Sequence, residues 1–340
     1  MINILEHPKY AAAQSRIRHI FPGILICLVV AMAAKFVSEH YGGPTILYAL
    51  LMGMSLNYLS LEGKCVDGIQ FASTHLLRLG IALLGARITF DQLMSLGLTP
   101  IVVVLVGVPA TIIFGVLCGR WLKLSTQQSV LSGAAVGICG ASAALAVSAV
   151  LPQNKDSEKQ LIFTIIGVTA LSTVAMIAYP LVISALGMDA INGGIFLGAT
   201  IHDVAQVVGA GYMVSQEVGD VATFTKLLRV AALVPVVIII SMVVSTNKLS
   251  ANKEKRSLPL PWFLVAFVLI VTLNSTVSFP EEVVSATTDI SRWCLIVAMV
   301  GLGMKASFKE LAKLGWPPII LLLAETLFLA VGVALYLCFA

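Results

Sequence analysis

Gly198-Ala-Thr-Ile-His-Asp-Val-Ala-Gln-Val-Val-Gly-Ala-Gly211 sets a histidine, an aspartate and a glutamine inside an apolar stretch long enough to cross a bilayer. Ionisable side chains at membrane depth are costly, and they usually face a partner, a cavity or a transport path. The flanking glycines leave places where a helix can break and free its backbone polar groups. A second stretch, Gly133-Ala-Ala-Val-Gly-Ile-Cys-Gly-Ala-Ser142, lies upstream and consists almost wholly of small residues. Together they predict a polar substrate site buried in a membrane protein.

The rest of the chain supplies that membrane protein. Apolar residues make up 59% and charged residues 11%, with a mean hydropathy of +0.99. A soluble domain carries about 25% charged residues. The apolar runs recur near the length of a transmembrane helix, roughly 20 residues. The expectation is an all-α polytopic membrane protein of about eleven spans, at roughly 20–38, 43–60, 73–88, 98–120, 127–150, 160–186, 190–213, 221–245, 261–279, 287–304 and 316–339. The chain then forms one transmembrane domain, residues 1–340, with a polar linker at 246–260. Ala31-Met-Ala33 has the form of a signal-peptidase site, but the long polar lead before it suits an uncleaved first span better.

Loop charges set the expected orientation. With the N-terminus in the cytoplasm, fourteen of the 21 Lys and Arg fall inside. Lys35, Arg87, Lys155, Lys159, Lys226, Arg229 and Arg292 fall outside, and the C-terminus is periplasmic. The net charge of +4 gives no sign of nucleic-acid binding. The six cysteines are scattered without a C-x-x-C pair, so neither disulfide nor metal chemistry is expected.

A short internal repeat appears. Gly85-Ala-Arg-Ile-Thr-Phe-Asp-Gln-Leu93 matches Gly303-Met-Lys-Ala-Ser-Phe-Lys-Glu-Leu311 at glycine, cation, phenylalanine and leucine. The copies end spans three and ten, which run in opposite directions, as inverted repeats of secondary transporters do. The two glycine-rich spans, five and seven, run parallel in the same count. Either they are not equivalents or one of them is a re-entrant hairpin.

The candidate residues follow from these stretches. A break near Gly198–Thr200 places His202 and Asp203 in the first turn of a following half-helix, where exposed N–H groups favour anions. On an intact helix His202 and Gln206 share a face instead. His202 and Asp203 are read as ion-coupling residues, the histidine because its charge changes near neutral pH. A break at Gly137–Gly140 frees the N–H groups of Gly140, Ala141 and Ser142 for an oxyanion, with Cys139 beside them. Close helix packing is the alternative reading of that small-residue stretch. The substrate-binding candidates are Cys139, Gly140, Ala141, Ser142, Thr200 and Gln206. Arg87 and Lys305 either snorkel at the interface or attract an anion at two entrances. Glu325, alone in the last span, is expected to pair with a cation elsewhere. No H-E-x-x-H, Walker loop or G-x-S-x-G occurs, so the expectation is neither an enzyme nor a self-powered pump, with no cofactor.

In Gly137-Ile-Cys-Gly-Ala-Ser-Ala143, Ile201-His-Asp-Val-Ala-Gln-Val-Val208 and Gly301-Leu-Gly-Met-Lys305 the chain resembles the YeiH family of bacterial inner-membrane proteins, often labelled sulfate exporters. The resemblance covers nearly the whole chain. It implies distant kinship with sodium/proton antiporters and bile-acid symporters, hence inverted repeats, broken helices near mid-membrane, and a core moving against a scaffold. The sequence expectation is therefore an ion-coupled secondary transporter of a small anion, with a proton or sodium as coupling ion and sulfate export carried by the label alone. An uncoupled anion channel is the rival, and a homodimer is the simplest assembly.

Overall fold

The computed structural model describes residues 8–42, 44–89, 91, 94, 96–152, 154–246, 262–277, 279–306 and 316–339. Among these, thirteen helices and no strands occur. Seven helices are long and apolar enough to cross a membrane. The backbone divides into two compact units, Met1–Thr89 with Ala266–Ala306, and Phe90–Val265 with Ser307–Ala340. The linker at 247–260 and the repeat residues Phe90, Gln92, Leu93 and 307–311 lie outside the described residues.

The first unit contains α1 (Pro8–Tyr41), α2 (Thr45–Ser55), α3 (Val66–Arg87, with a π turn at Ala72–Leu76), most of α11 (Trp262–Val277) and α12 (Glu281–Lys305). Small residues bring its backbones together: Gly23 meets Gly68, and Gly53 meets Gly303. Helices α3 and α12 are antiparallel, since Gly80 faces Leu295 while Gly301 faces Ile69. Asn57 Nδ2 donates to the Met304 carbonyl at 2.5 Å and Ser60 Oγ to the same carbonyl at 2.8 Å, closing the C-terminal end of α12.

The second unit contains α4 (Thr99–Trp121), α5 (Thr126–Gly137), α6 (Ala141–Val150), α7 (Ser157–Leu186), α8 (Ala190–Thr200), α9 (Val204–Val214), α10 (Gln216–Thr246) and α13 (Trp316–Phe339). Helix α5 descends antiparallel to α4: Ser129 lies by Gly119, Gly133 by Ile112, and Gly137 by Val108. The chain then turns back. Ser148 and Leu151 line one crevice with Gln127 and Leu131. Asn154 Nδ2 donates to Gln127 Oε1 at 2.6 Å. So α5 and α6 form a helical hairpin that enters and leaves at one end.

Helix α7 runs from that end to the other. Its start bonds to α5, Gln128 Nε2 donating to Thr164 Oγ1 at 3.1 Å, and its far end packs Ile183 on Gly193. Helix α8 then runs parallel to α10, with Gly194 on Val221 and Gly198 on Thr225. Helix α9 returns antiparallel to α10: Gly211 meets Gly219, and Tyr212 Oη donates to Asp220 at 2.6 Å. This second hairpin enters from the opposite end.

Two expected spans, 127–150 and 190–213, are therefore helical hairpins in the structure, and the exact count of eleven is not confirmed. Apolar length alone does not separate a span from two half-length helices joined by a buried break. The parity conflict between them disappears as well. Hairpin A (α5–α6) followed by α7, and hairpin B (α8–α9) followed by α10, run in opposite directions.

Candidate functional site at the hairpin tips

The tips are Ile138-Cys-Gly140 and Ile201-His-Asp203, and they meet inside the second unit. The Gly140 backbone packs against the His202 carbonyl. Ile138, Cys139, Ile201 and His202 are buried. Non-helical backbone at membrane depth survives only where protein or a wet cavity satisfies its polar groups. Two cations on α10 do this. Lys226 Nζ donates to the Ile138 and Ile201 carbonyls, each at 2.8 Å, and so ties the two tips directly. Arg229 Nε donates to Gly137 at 2.9 Å, Nη2 to Val136 at 2.6 Å, and Nη1 to Ala199 at 2.6 Å, with Gly198 and Ile201 at 3.2 Å.

These carbonyls are the ones a helix leaves orphaned at its C-terminus. They also carry the negative end of each half-helix dipole, which favours a cation. The guanidinium fork suits this position because its donors splay in a fixed plane. Both side chains are essentially fully buried. They were counted with the outer charges because they fall near the outer edge of expected span eight, begun at residue 221; the helix starts at Gln216, which puts them well inside it. Their signal was Lys226-Leu-Leu-Arg229 in an apolar run, two cations three apart on one helical face.

The two outgoing half-helices begin differently. Gly140 is the N-cap of α6, at φ 65° and ψ −127°, and no side chain caps that end. A positive φ of this kind favours glycine. Ala141 is half-buried and Ser142 exposed in the first turn, while Cys139 is a buried free thiol behind them. Asp203 is the N-cap of α9, and its Oδ1 accepts from the Ala205 N–H at 2.9 Å. The Asp203 N–H in turn donates to Ser172 Oγ at 3.0 Å. Asp203 is half-buried.

The remaining candidates take distinct places. Thr200 ends α8 rather than beginning a helix; its hydroxyl returns to the Phe196 carbonyl at 2.6 Å, and it is fully buried. The break falls at Ile201–Asp203, after Thr200, so the positive helix end lies at Val204. His202 precedes α9 and shares no helical face with Gln206. Its Nε2 lies 3.0 Å from Thr326 Oγ1, and that hydroxyl donates to the Leu322 carbonyl at 2.7 Å. The hydroxyl hydrogen is thus spent, and the network assigns the ring hydrogen to Nε2. His202 Nδ1 and Gln206 Oε1 are buried without a partner. Gln206 Nε2 donates to Thr173 at 2.8 Å. Arg87 and Lys305 belong to the first unit, at the C-terminal ends of antiparallel helices, where Lys305 Nζ donates to Gln70 at 2.5 Å. Glu325, in α13, meets no cation among the described residues; Ser132 Oγ of hairpin A donates to it at 2.5 Å.

Residues 22–322 match the family described as "Conserved hypothetical protein 698". The chain belongs to this family. It is 52% identical to the UPF0324 membrane protein CT0845 of Chlorobaculum tepidum, over 96% of this chain and 91% of the relative. It is 44% identical to the UPF0324 membrane protein TauZ of Paracoccus denitrificans, over 93% of this chain and 94% of the relative. A UPF0324 membrane protein of Neisseria meningitidis is 30% identical over 93% of this chain. These relatives are consistent with the YeiH resemblance and with a multi-pass membrane protein.

Proposed function

We propose that this protein is an ion-coupled secondary transporter of a small oxyanion. The observation that carries the reading is the meeting of two re-entrant hairpins, from opposite ends of one unit, at a point buried in protein. Secondary transporters with inverted repeats place their sites at such breaks, with half-helix N-termini facing anionic groups.

Charge favours an anion over a cation. Each half-helix end counts as about half a charge. The two C-terminal ends offset about one of the charges of Lys226 and Arg229, and Asp203 offsets about one of the remainder plus the two N-terminal ends. A net of about +1 is left at the tips for a ligand. The uncapped start of α6, with the Ala141 and Ser142 N–H groups and the Ser142 hydroxyl, is the cradle. Asp203, half-buried on the facing tip, is the group we assign to exchange a proton or sodium ion. His202 holds its tip to α13 through Thr326. Sulfate export remains the specific form that the family label suggests.

The hairpins also sharpen the orientation we propose. With hairpin A re-entrant, Lys155 and Lys159 move to the side of Arg120 and Lys123. Lys226 and Arg229 leave the loop count because they are buried. Sixteen cations then lie inside and only Lys35, Arg87 and Arg292 outside. The inner membrane, with a cytoplasmic N-terminus and periplasmic C-terminus, is the placement this asymmetry supports.

The test is uptake of radiolabelled sulfate, sulfite, phosphate and small carboxylates into proteoliposomes, with and without pH and sodium gradients. Saturable flux that responds to one gradient supports the reading. Non-saturating flux indifferent to both gradients would favour a channel, and no flux of any anion would remove the reading.

A further inference from the structure

Consecutive residues of α13 hold the two hairpins. Glu325 receives Ser132 of hairpin A, and Thr326 receives His202 of hairpin B. Glu325 lies well inside α13 and is fully buried. Only one of its oxygens is used: Oε2 accepts from Ser132, while Oε1 has no partner. Oε1 fills the space beside Gly115 of α4 that a Cβ there would need, near the Ser129 carbonyl. Each group around it is of the wrong kind to balance a charge. From α4 the facing titratable group is Cys118, and Arg120 beyond it is exposed. Helices α5 and α8, and residues 161–178 of α7, contain no titratable side chain. Lys226 and Arg229 are committed to the hairpin carbonyls.

Among the described residues a carboxylate here has one hydroxyl and no counter-cation, and both membranes and protein interiors penalise such a charge heavily. A carboxylic acid carries no such charge. We propose that Glu325 is a proton-binding site whose occupancy is read by hairpin A through Ser132. This deepens the transporter reading and rests on it, since it names the proton as the coupling ion. With the proton on Oε1 the group is neutral and hairpin A stays seated on α13. When the proton leaves, the stranded carboxylate must gain water or a cation, or the Ser132 contact must move. The tip of hairpin A lies about a turn and a half beyond Ser132, at 3.6 residues per turn, so such a movement reaches the cradle at Gly140.

Infrared difference spectra of the full-length protein in lipid vesicles, taken between acidic and alkaline buffer, read proton binding directly. Wild type should show a carboxylic-acid carbonyl band that appears with proton uptake. Glu325→Gln should lose that band, Asp203→Asn should keep it, and Ser132→Ala should shift its frequency. Glu325→Asp keeps an acid at the position and should keep a displaced band, which separates proton loss from misfolding. The same band in Glu325→Gln, or a Glu325 ionised throughout the range, would overturn the proposal. The readout is independent of flux: an intact band with no anion transport counts against the transporter reading alone.

Discussion

Hairpin A and hairpin B are built to one plan and finished with opposite chemistry. Each is two short helices around a three-residue break, and each gives its first C-terminus to Lys226 and Arg229. At the start of the second helix they diverge. Hairpin A offers a bare glycine with no side-chain cap. Hairpin B closes the same position with its own carboxylate, Asp203. One helix start has no side-chain cap and the other holds a carboxylate. In the function we propose, this asymmetry gives binding to hairpin A and charge control to hairpin B.

The cations they share should matter most. Arg229→Leu strips five hydrogen bonds from buried carbonyls of both hairpins. Leaving buried polar groups unsatisfied costs about 1–3 kcal/mol each. The expected outcome is loss of monodisperse protein in detergent size-exclusion chromatography, with Arg229→Lys only partly restored because it lacks the fork. A stable Arg229→Leu protein would show that the tips do not depend on this network.

Gly140→Ala separates the hairpins next. No close neighbour stands in the way of a small side chain at Gly140, but the backbone there is in a region that L-residues rarely adopt. Such strain costs on the order of 1–3 kcal/mol. Thermal stability should fall by that order and anion flux should fall with it. Gly209→Ala, inside a regular turn of hairpin B, should change both far less.

Asp203→Asn should leave the fold nearly untouched, because asparagine caps a helix about as well as aspartate. It should uncouple flux from the imposed ion gradient while protein yield and melting temperature stay within error. Coupled flux at the wild-type level would remove Asp203 from the mechanism. The smallest effect is expected at Ser142→Ala. One neutral hydrogen bond contributes about 0.5–1.5 kcal/mol, so anion affinity should weaken by a few-fold to about tenfold. An unchanged affinity would mean that backbone N–H groups alone hold the ligand.

Much of this was legible in the residues. Glycine-rich interruptions in long apolar runs marked both tips, and His202 and Asp203 marked one of them. What the sequence hid has physical reasons. A hairpin and a span have the same hydropathy, because each half of a hairpin is as apolar as half a span. The break in hairpin B falls after Thr200 because Asp203, an N-cap residue, decides where the next helix begins. Lys226 and Arg229 looked like loop charges because a cation satisfied by helix carbonyls leaves no mark in the sequence beyond its unusual depth. Glu325 was expected to find a cation, and a serine hydroxyl from a distant segment took that place.

The central claim is that the hairpins open to opposite faces of the membrane, and it can be read by labelling. In a Cys338→Ser background, Lys155→Cys follows hairpin A and Glu217→Cys follows hairpin B, and both positions are exposed. In intact spheroplasts an impermeant thiol reagent should label Glu217→Cys and spare Lys155→Cys until the membrane is opened. If both label from outside, residues 127–150 and 190–213 cross the membrane as full spans and the hairpin account is wrong.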